Sequence, residues 1–302
     1  MPSFRAAPVR VRVPATSANL GPGFDSAGLA LALYDDVVVR VADSGLSVDV
    51  AGEGAGELPL DKRHLVVKSL RAAFSALGGQ PRGLEVVCAN RIPQSRGLGS
   101  SSAAIVAAVV AARALVLGGE EALDDVAALA LATSLEGHPD NVAACLRGGL
   151  TFAWTTPAGV RVHRVDVHAD VAPVAFIPSS RASTKRVRGL LPATVPHEDA
   201  AANSARAALL GFALTRSPGL LLDATEDRLH QAYRASAMPR SAALVAGLRA
   251  EGVPAVISGA GPTVLALATR ATVEAVAARH PRGWEVVPLD VEPAGAVVIP
   301  LT

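Results

Sequence analysis

The spacing of hydrophobic positions changes period several times along the chain, and each change predicts an element. Near the start Val9, Val11 and Val13 alternate with Arg10 and Arg12, the pattern of a half-buried or edge strand. Residues 14–25, PATSANLGPGFD, are crowded with turn formers and predict a loop, too polar for a core strand. Residues 29–41 hold two apolar runs broken by Tyr34-Asp35-Asp36; the second, VVVRV, is β-branched and predicts a strand. Alternation over 46–50 continues the sheet, and AGEGAGELP at 51–59 is a surface loop. Residues 65–77 have helical spacing and stop at Gly78-Gly79, and 84–89 form another short strand.

That strand leads into IPQSRGLGSSSAA at 92–104, the stretch around which the chain is organised. Pro93, Gln94, Ser95 and Arg96 precede Gly97-Leu98-Gly99. Ser100, Ser101, Ser102 and Ala103 then open an apolar helix reaching Leu117. A Gly-rich turn between strand and helix aims several backbone N–H groups at one point, at the positive end of the helix dipole, and such a point binds phosphate. The competing reading is a solvated Gly/Ser connector. A Walker A loop is excluded, since no Gly-Lys-Ser/Thr occurs and the only lysines are Lys62, Lys68 and Lys185. The charge of a triphosphate must then be met by N–H groups, serine hydroxyls, a metal and Arg96.

Further along, Asp124 is a candidate N-cap for a helix reaching about Glu136. A carboxylate at a helix C-terminus opposes the dipole, at a cost of about 0.3–1 kcal/mol, unless a cation such as Mg²⁺ sits there; the alternative is an exposed helix-end glutamate. His138, Asp140 and Asn141 follow in a polar HPDN turn that serves equally as a helix cap. Residues 160–167 and 171–178 read as paired strands around Ala169-Asp170. Helices are expected at 197–215, 222–234 and 241–250, and a strand–loop–strand at 255–268 is broken by GAGPT, where Gly259 and Gly261 suggest close backbone approach. A helix at 272–278 and one or two strands end the chain. TTPAG near 154–159 marks the expected domain boundary.

Composition narrows the classes. With 302 residues, two domains are expected. Net charge is +1 without a basic tract, which argues against nucleic acid. Cys88 and Cys145 stand far apart, so neither a disulfide framework nor a zinc site is expected. No secretory h-region and no run long enough to span a bilayer occurs, so a soluble cytoplasmic protein is expected, with no membrane partner.

PQSRGLGSSSAA and ISGAGPTV resemble the phosphate loop and the third glycine motif of the GHMP kinase superfamily. PATSANLGPGFDSAGLAL, EGHPDNVAACLRGGLT and HQAYR resemble its homoserine kinase branch, so the resemblance spans nearly the whole chain. It implies an α/β (α+β) fold of two domains with the site between them. The first, 1–157, would bind ATP and resemble the second domain of ribosomal protein S5; the second, 158–302, would be ferredoxin-like. It implies Mg²⁺- and ATP-dependent phosphorylation of the side-chain hydroxyl of L-homoserine, in threonine biosynthesis; a homodimer is compatible with it. By the same resemblance Ser101 and Glu136 hold Mg²⁺. Asn19, Asp25, His138, Asn141, Thr184, Arg188 and Arg234 hold the amino acid, with Asp25 facing its ammonium, and Asp140 and Asn141 stand nearest the chemistry. Many relatives read adenine with an Asn before Leu-Val; this chain has His64. The alternatives are a GHMP kinase acting on mevalonate, a sugar or a diphosphocytidyl polyol, and a non-catalytic nucleotide-binding regulator.

Overall fold

The alternating valines do form a strand, and it runs further than the polar residues after it suggested. In the computed structural model, which describes residues 2–300, β1 spans Val9–Ala18 and is buried throughout its second half. The side chains of Thr184 and Lys185 lie outside the described residues, and with them the expected substrate contact of Thr184. The polar part of β1 tolerates burial because its hydroxyls find partners. Thr16 Oγ1 donates to Asn141 Oδ1 at 2.8 Å, and the Ser17 and Ser258 hydroxyls are bonded at 2.8 Å. A register shift between Pro14 and Ala15 accommodates the proline.

β2, Ala27–Ala42, is one strand rather than two runs. Asp36 stays in it because Arg10 and Arg12 reach it from β1 at 2.9 and 3.0 Å. Then come β3 (Gly45–Gly52), α1 (Leu65–Ala76) and β4 (Gly83–Asn90), with β3 and β4 parallel. α2, Ser100–Leu115, is apolar on nearly every face, as a central helix must be. Its buried alanines allow α1 and β1 to approach closely. After the short α3 (Gly119–Ala122), which the sequence did not signal, α4 runs Asp125–Glu136 with Asp124 capping the N–H of Ala127 at 2.8 Å. α5 (Asp140–Arg147) is followed by the hairpin β5 (Leu150–Thr156) and β6 (Gly159–Val165).

This hairpin corrects two expectations. β6 pairs with β5, not with the strand after it, and the boundary drawn at 157/158 falls inside the hairpin. Val160, Val162 and Val165 pack with the first core, which holds β6 in the first sheet. The chain first leaves this sheet between β6 and β7 (Val171–Pro178). α6 (Thr184–Arg188) and α7 (His197–Thr215) follow, α7 as its spacing predicted. The helix expected over 222–234 is two short ones, α8 (Leu221–Ala224) and α9 (Gln231–Arg234). Between them the buried Asp227 carboxylate accepts the N–H groups of Leu229, His230 and Gln231 at 3.0, 3.1 and 2.7 Å, starting a new helix instead of continuing the old one. α10 (Pro239–Ala250), β8 (Ala255–Ile257), β9 (Val264–Thr269), α11 (Val273–Ala277) and β10 (Trp284–Pro288) complete an antiparallel sheet of order β10-β7-β9-β8. That βαββαβ order is the ferredoxin-like one. Finally β11 (Val297–Ile299) returns to the first sheet, whose order is β11-β1-β2-β4-β3 with β5 and β6 beyond β2.

Two cores result, one spread from β1, β2, α1 and α2 and one between β7, β8, β9 and α10. Full burial of a Leu or Phe such as Leu70, Phe74 or Phe176 contributes about 1.5–3 kcal/mol. Among the described residues no helix is long and apolar enough to cross a membrane.

Asp35 ties β2 to the loop before α2. Its Oδ1 accepts the N–H of Arg91 at 2.6 Å and of Ile92 at 2.8 Å. Burial pushes its carboxyl up to about 6, against the pull of those two donors. The folded chain therefore holds this proton more tightly than the unfolded one, and stability falls as pH rises from about 4 to about 6. Asp35→Asn keeps the accepting oxygen and removes the charge. Relative to the parent it should gain about 1–3 kcal/mol at pH 7.5 and little at pH 4, by denaturant unfolding at both pH values; equal gains at both would contradict this origin.

Candidate active site

The loop before α2 is held in place by other segments. Thr16 N–H donates to Leu98 O at 3.0 Å, Thr263 N–H to Arg96 O at 3.0 Å, and Ser258 Oγ to Gly97 O at 2.6 Å. Gly97 has φ +83°, and a Cβ there would stand 2.9 Å from Gly261 N. Gly99, the N-cap, has φ +71°, and a Cβ there would run into the Thr16 hydroxyl. Gly99 has no side chain to cap α2, so the first N–H groups of the helix have no side-chain acceptor at the cap and face a cavity of about 420 Å³.

Not all of the loop faces that cavity. Ser95, Gly97, Gly99, Ser100 and Ser101 do. Pro93, Leu98, Ser102 and Ala103 are buried, and the Gln94 amide donates to Glu53 O at 3.3 Å. Arg96, expected to share the phosphate charge, is turned to Glu53 at 3.4 Å, its own carbonyl and that of Gly97 being pinned by Thr263 and Ser258.

Across the cavity stands Glu136, the last residue of α4. Its Oε2 accepts from Ser101 Oγ at 2.5 Å and its Oε1 from Ser102 Oγ at 2.9 Å. The expected Ser101–Glu136 pair is thus assembled, with Ser102 as a second donor. The donor set is all oxygen and carries one carboxylate, which fits a hard divalent cation drawing its remaining ligands from phosphate and water. Among the described residues no cluster of three His, Cys, Asp or Glu could hold a metal without such help.

Gly137, at φ +95°, ends α4 and turns the chain into HPDN. Asp140, 2% exposed, accepts from Asn141 N–H at 2.8 Å, and its Oδ1 lies 2.6 Å from His138 Nδ1. That hydrogen bond raises the His138 pKa above its ordinary value. The turn is therefore both helix start and site wall, since His138, Asp140 and Asn141 all line the cavity.

The far end is cationic. Arg234 is 2% exposed, and among the described residues it has no carboxylate partner within 4 Å. Burial lowers its pKa, and neighbouring Arg188 lowers it further. Arg188 grips Asp25 with two bonds, of 3.0 and 2.5 Å, which raises the Arg188 pKa. Asp25, expected free for an ammonium group, is thus already paired and reaches the cavity through Arg188. Asn19, at φ +70°, braces the first loop: its amide donates to Gly259 O at 3.0 Å and accepts the Asp25 N–H at 2.9 Å. Sequence reasoning missed Phe24, whose ring lies 5.2 Å from the Arg234 guanidinium and 5.7 Å from that of Arg188. It also missed His230; the spacing of four between His230 and Arg234 in HQAYR was the available signal.

A second cavity, about 180 Å³, opens on the other side of Ser95, Ser100 and Ser101, between Val37, Leu58, Leu65 and Val66. Buried His64 lines it, both ring nitrogens lack a partner, and burial lowers its pKa, so the ring is neutral near pH 7.

Two α/β halves, a glycine-rich loop without lysine and a carboxylate opposite it define the GHMP kinases. The family description "GHMP kinases N terminal domain" matches residues 64–149, and "GHMP kinases C terminal" matches residues 204–286. The chain is 64% identical over 300 residues to a homoserine kinase of Streptomyces avermitilis, covering 99% of this chain and 98% of that one. It is 52% identical over 296 residues to a homoserine kinase of Clavibacter michiganensis, covering 96% and 93%. A crystal structure of homoserine kinase from Cytophaga hutchinsonii superposes with a TM-score of 0.86 at 27% identity, covering 99% of each chain. Within the GHMP kinases, the chain belongs to the homoserine kinase family.

Glu136→Gln leaves an oxygen to accept one serine and relieves the clash with the helix dipole. Its unfolding free energy should change by less than about 1 kcal/mol, while kcat with Mg²⁺ falls by about 100-fold or more. Turnover equal to the parent in a coupled ADP-release assay would exclude Glu136 as a metal ligand.

Proposed function

We propose that this chain transfers the γ-phosphoryl group of ATP to the side-chain hydroxyl of L-homoserine, giving O-phospho-L-homoserine for threonine biosynthesis in the cytoplasm. One observation carries the reading. A single cavity joins the uncapped start of α2 and Glu136 to the buried Arg234, which has no carboxylate partner among the described residues, and to the Arg188–Asp25 pair. One end suits polyphosphate and the other suits a zwitterion.

The phosphates lie at the N–H groups of Gly97, Gly99 and the first turn of α2, where the helix dipole and the Ser100 and Ser101 hydroxyls meet negative charge. The base enters the second cavity, against Val66 and Leu65, with neutral His64 offering one donor and one acceptor. Ser101 and Glu136 hold Mg²⁺, which when bound offsets charge on the phosphoryl oxygens. Arg234 and Arg188 take the homoserine carboxylate. Asp25, released in part from Arg188, takes the ammonium, and His138 and Asn19 close the pocket.

This leaves the hydroxyl beside Asp140 and Asn141. Phosphoryl transfer needs little covalent help, and positioning with charge neutralisation supplies most of the rate. In a loose transition state the hydroxyl proton leaves late. Asp140, its Oδ1 already engaged by His138 and Asn141, serves mainly to orient the hydroxyl.

A coupled ADP-release assay tests the reading, with L-homoserine set against mevalonate, a sugar and a polyol, with and without Mg²⁺. Homoserine alone should give rapid Mg²⁺-dependent release; release with another acceptor and none with homoserine would overturn it. Arg234→Ala should raise KM for homoserine about 10–100-fold, as loss of a charge-assisted pair does, with KM for ATP unchanged within about twofold.

A further inference from the structure

The buried guanidinium of Arg234 raises a question that its role toward the carboxylate does not answer. A buried arginine is ordinarily matched by a carboxylate, and removing such a partner is costly. Here the nearest groups are different. Arg234 Nη1 lies 3.2 Å from His230 Nδ1 and 3.5 Å from Gly259 O, the Phe24 ring lies beneath the guanidinium, and Nε is buried without a partner.

The partners of His230 dictate its tautomer. Its Nε2 is 2.8 Å from Gly21 O, and a carbonyl only accepts, so Nε2 carries the hydrogen. Arginine only donates, so Nδ1 must present its lone pair to Arg234. Protonation would point a second N–H at the guanidinium. The ring is fully buried and stacks on Phe24 at 5.1 Å, and burial lowers its pKa. Asp227, 3.6 Å from Nε2, is the carboxylate best placed to charge the ring. It is occupied by three backbone N–H groups at the start of α9.

We propose that His230 is a positioning residue for substrate recognition: as a neutral acceptor it aims Arg234 into the cavity without cancelling its charge. A glutamate in its place would orient the arginine equally well but neutralise it before substrate arrives. The imidazole supplies direction alone, and the full guanidinium charge is kept for the incoming carboxylate. Phe24 supports the same arrangement from below, since an aromatic face attracts a cation without offering it an anion.

The inference rests on the reading that Arg234 binds the homoserine carboxylate, and the experiment separates the two. His230→Leu, His230→Gln and Arg234→Ala are assayed with homoserine and with 3-aminopropan-1-ol, which has the amine and hydroxyl but no carboxylate. His230→Leu should raise KM for homoserine about tenfold, with kcat and KM for ATP within about twofold and KM for the aminoalcohol unchanged. His230→Gln, whose amide both donates and accepts, should restore KM for homoserine to within about threefold. If Arg234→Ala leaves KM for homoserine unchanged, the substrate reading itself fails. If Arg234→Ala raises it and His230→Leu does not, or if Leu impairs both acceptors equally, the role of His230 is overturned. Should the Leu variant not fold, His230→Phe keeps the stack on Phe24 and is judged by the same ratios. In the parent protein, ¹⁵N NMR of His230 at pH 7 should show a neutral ring protonated at Nε2; a charged ring or the other tautomer would also overturn it.

Discussion

Everything in this site depends on a helix that starts without a cap. Gly99 offers no side chain to satisfy the first N–H groups of α2, and Gly99, Ser100 and Ser101 line the cavity. A capping side chain cannot be fitted there, because its Cβ would run into the Thr16 hydroxyl, and an acidic one would set a negative charge against the proposed phosphate position. The loop therefore cannot hold its own shape. It is held by Thr16 from β1 and by Ser258 and Thr263 from the second half of the chain. The same constraint accounts for the buried hydroxyls of β1, which belong to the clamp, and for Gly97 and Gly99, where a Cβ would collide with it.

The charges at the two ends of the cavity are handled differently. At the end proposed for phosphate, the cavity is lined by backbone and serine groups, and Arg96 is tied to Glu53. At the end proposed for the amino acid, two arginines share one aromatic ring, and Arg188 disfavours the charge of Arg234. The difference fits the ligands. A triphosphate brings enough charge to bind dipoles and a metal. A small zwitterion has no net charge, so its recognition needs full charges fixed in place before it arrives.

The Arg188–Asp25 pair is the one part of the cationic end that is only partly buried, each side chain being 35% exposed. Water can therefore compete for it, and exchange of its partners with a zwitterion costs less than it would at the more deeply buried Arg234.

Much of this was legible from residue order. Helices α4 and α7, the loop and the Gly259–Gly261 turn depend on local chemistry, on caps, glycines and spacing, and there the sequence and the structure agree. Motif resemblance also named Ser101, Glu136, Arg188 and Arg234, which the fold brings to the lining of one cavity. The misreadings share a physical cause. Residues 14–18 looked like a loop because their polar side chains find partners only in distant segments, Asn141 and Ser258. β6 looked like a partner for β7 because hairpin adjacency is a local guess, whereas its valines are held by the first core. The helix over 222–234 broke because Asp227 spends its carboxylate on new N–H groups. The sequence by itself determined the candidates for phosphate and amino-acid binding, since candidacy is a property of residue type and local backbone. Tertiary structure decided which of them face the cavity, which charge is already paired and which is left bare, because those depend on contacts between segments as far apart as Asn19 and Gly259.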